Sequence, residues 1–246
     1  MKKTSRRAAF LTVLLVAVML ISVAGLASCS DKTPEKYLVS YKTSDSYSDF
    51  ETEFFYTALP GGEYVIASSR TFSDGVLVSK SEMSYDAQGR RISERVTMLS
   101  VKGSRDISYE YDTAGRISIQ TMVVTDADGG KTTQKVTYEY TDGNGSYIKK
   151  TSLGGGDEAT EVYTYDERGG LISYTDSAGV VTERENRYNI YGTIDTSVLT
   201  TGGTTTKITY SYDAEYKNLI EETLWSESGM QVSTTVYKYS ENPPMA

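Results

Sequence analysis

The chain has 246 residues, with 25 Lys and Arg against 33 Asp and Glu for a net charge of −8, and it contains no histidine. The missing histidine excludes Ser-His-Asp and Cys-His catalysis, His-ligated zinc and the commonest general base. A single cysteine leaves no intrachain disulfide, and the acidic balance argues against nucleic acid, whose phosphates need a basic footprint.

Residues 1–28 read as a signal peptide that is not part of the fold. Lys2, Lys3, Arg6 and Arg7 give a positive start, and an apolar run follows from Ala8 to about Gly25. The run ends in Leu26-Ala27-Ser28-Cys29, which resembles the signal-peptidase box of bacterial lipoproteins. The resemblance implies that Cys29 carries a diacylglycerol thioether, with palmitate-type acyl chains, and becomes the mature N-terminus. The competing reading is an ordinary leader or a spanning helix with a chance cysteine. The basic start, the box and the polar run Ser30 to Lys36 favour the lipoprotein. Two acyl chains anchor a protein stably where one does so only reversibly. Residues 29–48 are therefore expected to be the lipidated cysteine and its tether, with the flexible part at about 30–36. The expected location is extracytoplasmic, lipid-anchored in the cell membrane or outer membrane.

Without the leader the chain holds 21 Lys and Arg against 33 Asp and Glu, a net charge of −12. Such a surface keeps a tethered domain in solution and leaves the anchoring to the acyl chains. Thr, Ser, Gly and Tyr dominate after the leader, and sustained helical spacing of apolar residues is missing. That pattern suits β-structure with one modestly apolar face.

Residues 49–246 are expected to form one repeat-built β domain. A tyrosine-aspartate-turn unit stands at Tyr85-Asp86-Ala87-Gln88-Gly89, Tyr111-Asp112-Thr113-Ala114-Gly115 and Tyr165-Asp166-Glu167-Arg168-Gly169. Worn copies follow at Tyr188 to Gly192 and at Tyr212-Asp213, and a second tyrosine stands two places away in pairs such as Tyr109/Tyr111, Tyr138/Tyr140 and Tyr163/Tyr165. The spacing, about 23 to 29 residues, signals a repeat architecture. Asp-x-x-Gly makes a type I turn: the carboxylate accepts backbone N–H groups, and the glycine takes a left-handed conformation that creates a G1 bulge. In that register Tyr111 faces Ile117, Tyr165 faces Leu171 and Tyr188 faces Ile194, and alternation puts Ile107, Tyr109, Tyr111, Ile117 and Ile119 on one face.

A second set of turn signals alternates with the first, at Lys102-Gly103, Asp126 to Gly130, Gly154 to Gly156, Asp176 to Gly179, Gly202-Gly203 and Ser228-Gly229. With Pro60 to Gly62 and Asp74-Gly75 they divide the chain from Asp49 to Tyr239 into about fifteen short runs. The expected fold is all-β, an antiparallel meander of repeated hairpins. Strand twist should make it a strongly twisted or curled sheet, with helix confined to the leader.

The unit resembles the YD repeat of the Rhs family of bacterial surface and toxin-associated proteins. Tyr163 to Leu171 and Tyr109 to Ile117 carry the likeness, which extends over about residues 83–239. The resemblance implies hairpins rolled into β-sheet shells. The array here is short and its copies degrade: Arg90-Arg91 adds a residue, and Asp213 to Asn218 lacks its glycine. Only the hairpin and the sheet are carried over, and not a toxin-delivery role.

Candidate chemistry is sparse. Tyr109, Tyr111, Tyr138, Tyr140, Tyr163, Tyr165 and Trp225 could stack on a ligand such as a sugar ring, against the plainer reading that they pack a thin core. Asp126/Asp128 and Asp157/Glu158 could pair for glycosidase chemistry, or the first pair for calcium, but both lie where turn geometry already explains them. Gly154-Gly155-Gly156 lacks the Lys-Ser/Thr of a phosphate loop. No catalytic residue, metal site or cofactor is expected. The expected function is a non-enzymatic, membrane-anchored β-repeat scaffold for binding or adhesion at the cell envelope. The alternatives are a carbohydrate-binding surface module and an envelope carrier of lipid or lipoprotein. Its partners would be the membrane through Cys29 and either a surface glycan or another envelope protein.

Overall fold

In the computed structural model, residues 36–246 are described, apart from 142–144, 154–155, 157 and 216. Among them there is no helix. Sixteen antiparallel strands follow one another as a meander and close into a barrel. They are β1 (Tyr37–Asp45), β2 (Asp49–Ala58), β3 (Tyr64–Ser73), β4 (Val76–Tyr85), β5 (Arg91–Met98), β6 (Gly103–Tyr111), β7 (Ile117–Thr125) and β8 (Lys131–Tyr140). The second half is β9 (Tyr147–Leu153), β10 (Glu158–Tyr165), β11 (Leu171–Thr175), β12 (Val181–Tyr188), β13 (Ile194–Thr201), β14 (Thr204–Tyr212), β15 (Leu219–Trp225) and β16 (Gln231–Ser240).

The fifteen runs expected from Asp49 to Tyr239 correspond to β2 through β16. The sixteenth strand, β1, lies in the stretch 29–48 expected to be tether, so the barrel begins at about Lys36. It closes the sheet by pairing with β16 from Tyr37↔Ser240 to Asp45↔Ser233. Tyr41 packs between Phe54 and Tyr237, with ring centroids 5.9 and 6.1 Å apart, and the Thr43 and Thr235 hydroxyls meet at 2.9 Å. Closure removes the two edges that a meander would otherwise leave unpaired.

The turn unit behaves as its chemistry requires. In the second copy the Gly115 N–H donates to the Asp112 carbonyl (3.0 Å), and Asp112 Oδ1 accepts the N–H groups of Ala114 and Arg116 (both 2.9 Å). Gly115 has φ 79°, and the ladder slips by one residue between Glu110 and Tyr111. Tyr111 thus faces Ile117, and Tyr165/Leu171 and Tyr188/Ile194 pair in the same way. The same slip corrects one expectation. Beyond the bulge Tyr109 faces Gln120, while Ile119 faces Glu110. Ile119 therefore leaves the face of Ile107 and Tyr109 and points outward.

Several hairpins are tied to the preceding one by the last tyrosine of a strand. Its hydroxyl donates to the carbonyl near the start of the preceding hairpin's return strand: Tyr85 to Ile66 (2.7 Å), Tyr111 to Arg91 (2.7 Å) and Tyr140 to Ile117 (3.1 Å). Tyr212 bonds Ile194 (2.9 Å), and Tyr239 bonds Leu219 (3.0 Å). These are carbonyls beside the bulges, where the ladder is interrupted. An arginine after the turn adds a second link. Arg116 pairs with Asp112 (2.8 Å) and lies 4.0 Å over the ring of Tyr140; Arg90 pairs with Asp86 (2.7 Å) and lies 4.8 Å over Tyr111. Each unit is thus bonded to the next, as a repeat array needs.

Candidate functional site: the lumen wall

Register and alternation divide the barrel wall into two faces of opposite character. Tyr109, Tyr147 and Tyr163 are buried on the inner face. In step with them stand Tyr111, Tyr138, Tyr140, Tyr165, Tyr210, Tyr212, Tyr237 and Tyr239, which form a tyrosine girdle at the end that holds the tyrosine-aspartate turns. Deeper in the lumen the girdle gives way to an aliphatic belt that includes Val96, Ile107, Met122, Val136, Leu199, Ile208 and Leu224. Only Ser197 has a completely buried side chain among the described residues, so the interior is not filled like a packed core. A sixteen-stranded barrel has the diameter to enclose more room than a small eight-stranded one, whose side chains fill it.

The outer face carries charge in the middle of strands. Lys80, Glu82, Arg95, Asp106, Lys135, Glu185 and Lys207 are all exposed, on β4, β5, β6, β8, β12 and β14. Arg95 and Asp106 pair at 3.6 Å with side chains 64 and 49% exposed. A barrel that crosses a bilayer needs the reverse, an apolar outer band with polar residues inside, and a Lys or Arg facing lipid at mid-depth costs about 2–4 kcal/mol. Strand length does not discriminate: nine strands have 9 or 10 residues, within the roughly 9–11 that a spanning strand needs, and the others are shorter, down to 5 in β11. No helix is long and apolar enough to cross a membrane among the described residues.

The six candidate tyrosines converge on the lumen wall across β6, β8 and β10. The Tyr138 hydroxyl donates to Gln120 Oε1 (3.2 Å), and burial pushes its pKa up to about 12. Tyr109 reaches Glu94 Oε2 (3.3 Å), and burial raises its pKa as well. Tyr163 stacks on Tyr147 at 4.7 Å, and Tyr165 stacks on it at 6.1 Å. These are contacts within the inner wall, and none of the six rings stands on the outer face. Trp225 is not with them. It stands on the outer face, its Nε1–H donating to Thr209 Oγ1 (3.0 Å), in a shallow depression of about 530 Å³ with Val198, Lys207 and Glu227. One ligand cannot stack on both.

Other sequence candidates dissolve into turns. Asp126 Oδ1 accepts the N–H groups of Asp128 (3.0 Å) and Gly130 (2.7 Å), as the turn requires. No group of three or more metal-ligating side chains comes together among the described residues. Leu26, Ala27, Ser28, Cys29, Gly154, Gly155 and Asp157 lie outside the described residues.

Sequence reasoning missed the charged groups of the lumen wall. Arg91 pairs with Glu94 (3.1 Å) and lies 4.7 Å over the Tyr109 ring. Lys149 pairs with Glu161 (2.5 Å), which also accepts the Tyr174 hydroxyl (2.9 Å). Arg184 donates to Asn186 Oδ1 (3.1 Å) and to the Tyr210 hydroxyl. Glu222 faces Tyr210 and Thr235, and burial raises its pKa against the opposing pull of Arg184. The signal is parity: Arg91, Lys149, Glu161, Arg184 and Glu222 each sit an even number of residues from an inward tyrosine or directly across from one, and Glu94 is placed inward by facing Ile107.

No family model matches the sequence, and no curated protein matches it. The barrel is similar to the crystal structure of a porin-like protein from Bacteroides vulgatus, with a TM-score of 0.50 and 9% identity over 83% of this chain and 99% of that one. A second porin-like protein, from Bacteroides uniformis, gives a TM-score of 0.38 at 9% identity, over 85% of this chain and 98% of the other. The Photorhabdus luminescens Tc holotoxin pore gives 0.24 at 14% identity, over 79% of this chain and 13% of that one. The first likeness shows the fold, a porin-like antiparallel barrel, and the two lower scores carry no further weight.

Proposed function

We propose that the protein is a non-enzymatic binding barrel of the cell envelope, anchored through a lipidated Cys29, that stands in water beside its membrane and holds an apolar or amphiphilic ligand in its lumen. The observation that carries this reading is the exposed mid-strand charge of the outer face, Lys80, Arg95, Lys135 and Lys207, against an inner face where tyrosine and aliphatic side chains stand among hydroxyls and paired charges. A porin-like barrel with that arrangement is suited to carrying an apolar molecule through water and unsuited to conducting polar solutes through lipid. The concave apolar face that an envelope lipid or lipoprotein carrier requires is supplied by the lumen. A carbohydrate-binding surface module is less favoured, because the tyrosines face inward and several of their hydroxyls already bond backbone carbonyls. The repeats, like those of the YD family they resemble, are the scaffold.

Two measurements on protein taken from the membrane fraction test this. Mass spectrometry of the N-terminal peptide should find Cys29 diacylated, and native mass spectrometry should find the barrel carrying an apolar or amphiphilic small molecule. A freely secreted, unmodified chain overturns the anchoring. A barrel that carries nothing and takes up no apolar fluorescent probe overturns the binding role.

A further inference from the structure

Four cationic side chains face the lumen, and three of them are engaged there: Arg91 with Glu94, Lys149 with Glu161, and Arg184 with Tyr210 and Asn186. The fourth is Arg105 of β6. It stands opposite Val96 on β5 and Val124 on β7, on the face shared with Ile107, Tyr109 and Tyr111. Its neighbours in sequence, Ser104 and Asp106, take the outer face, where Asp106 pairs with Arg95. Among the described residues Arg105 has no hydrogen bond and no ion pair. The lumenal carboxylates Glu94, Glu161 and Glu222 all lie nearer the girdle, and the first two are already paired.

Arg105 is half-buried, and its guanidinium, engaged by no side chain among the described residues, is still open to water and to an incoming ligand. What would complete it is an anion, and guanidinium matches carboxylate or phosphate through two parallel hydrogen bonds. The surroundings specify the rest of the ligand. From Arg105 toward the girdle the wall offers Val96, Ile107, Met122 and Val136, a surface for an alkyl chain. On the other side lies the mouth remote from the girdle, where the β5–β6 turn exposes Leu99 (43%) and Val101 (60%). Those two side chains form an apolar patch beside the cation, among polar turn residues such as Lys102 and Asp128.

We infer that Arg105 is the headgroup anchor of a lumenal site for anionic amphiphiles, molecules with a carboxylate or phosphate head and an alkyl tail. The head bonds Arg105 just inside the mouth, and the tail lies along the aliphatic belt toward the tyrosines. This rests on the binding role proposed above and adds the charge, the orientation and the residue.

The test uses the full-length protein, extracted from membranes and exchanged into a nonionic amphipol, which carries no carboxylate to compete. Photoreactive diazirine analogues of decanoate and decanol share one tail and differ in the head, and acetate and inorganic phosphate supply a head without a tail. The expected result is labelling of lumen-facing peptides, with decanoate half-saturating at about tenfold lower concentration than decanol, one ordinary charged contact's worth. Arg105→Gln should remove that preference and leave decanol labelling unchanged. Arg105→Lys should restore part of it, which also shows that the variant barrel folds. Acetate and phosphate should not compete; dodecyl phosphate should. Equal labelling by decanoate and decanol in the unaltered protein, or equal weakening of both by Arg105→Gln, overturns the anchor while leaving the lumenal site standing. Labelling by neither ligand overturns the binding role itself.

Discussion

Asp112 holds three groups with one carboxylate: the N–H groups of Ala114 and Arg116 on Oδ1, and the Arg116 guanidinium on Oδ2. Replacing it with alanine should lower stability by about 1–2 kcal/mol, the loss of two backbone partners and a partly exposed ion pair, as read from a urea midpoint. Burial works to raise the pKa of Asp86, Asp112 and Asp166, but the hydrogen bonds they accept outweigh it and hold all three below the ordinary carboxylate range. A depressed folded-state pKa contributes stability that is present above the unfolded value and lost as pH falls through the folded one. The urea midpoint should therefore decline from about pH 4 downward, and less so in Asp112→Ala. A midpoint flat to pH 2 would contradict the turn account. At Gly170 the unit is varied: Tyr188, not an arginine, reaches Asp166 Oδ2, and a Cβ on Gly170 would meet that hydroxyl and come within 2.8 Å of Asn186 Nδ2. Gly170→Ala should destabilise by about 1–3 kcal/mol through overpacking, with the same change at exposed Gly61, where a Cβ would meet nothing within 4 Å, nearer neutral. The glycine of Asp-x-x-Gly was legible as a turn residue. The need for Gly170 was not, because the crowding atoms arrive from β12.

Hairpins are the elements that could be read directly, since turn, bulge and cross-strand pair all lie within a dozen residues. Expectation failed where a partner is remote or where a bulge changes parity. The pairing of β1 joins residues nearly two hundred positions apart, β1 lacks the tyrosine-aspartate turn, and its ladder is irregular between Leu38 and Ser40. Nothing local marks it as a strand of the array. Ile119 was misplaced because the G1 bulge that the turn itself predicts was not carried through the alternation. The seam gives an element-scale prediction. Tyr41→Ala removes a buried ring packed between Phe54 and Tyr237 and should cost about 3–5 kcal/mol, with the loss of cooperative unfolding that follows from opening a barrel. Ile190→Ser, on a turn where the side chain is 92% exposed, should change stability by less than about 0.5 kcal/mol. Thermal melts of the two variants, run side by side, check both.

At the scale of the whole molecule, fold and outer-wall charge point in different directions, and the proposed function follows the charge. The porin-like architecture is one that membranes commonly hold, yet the outer wall presents Lys80, Arg95, Lys135 and Lys207 where a membrane barrel presents apolar side chains. The sequence already contained this alternation, but which parity faces outward is fixed only by closure. An open ribbon could have turned either face to solvent, and a tyrosine-rich face reads equally as core, groove or lipid contact until the sheet has an inside. The tyrosines are both wall and lining, so the scaffold and the candidate site are one surface. The most direct test of this account is to place a protease site in the stretch 30–36 of the membrane-bound protein, cleave it, and sediment the membranes. The account expects an intact β-rich barrel in the aqueous supernatant without detergent. A cleaved barrel that stays in the membrane pellet and needs detergent for release would contradict it.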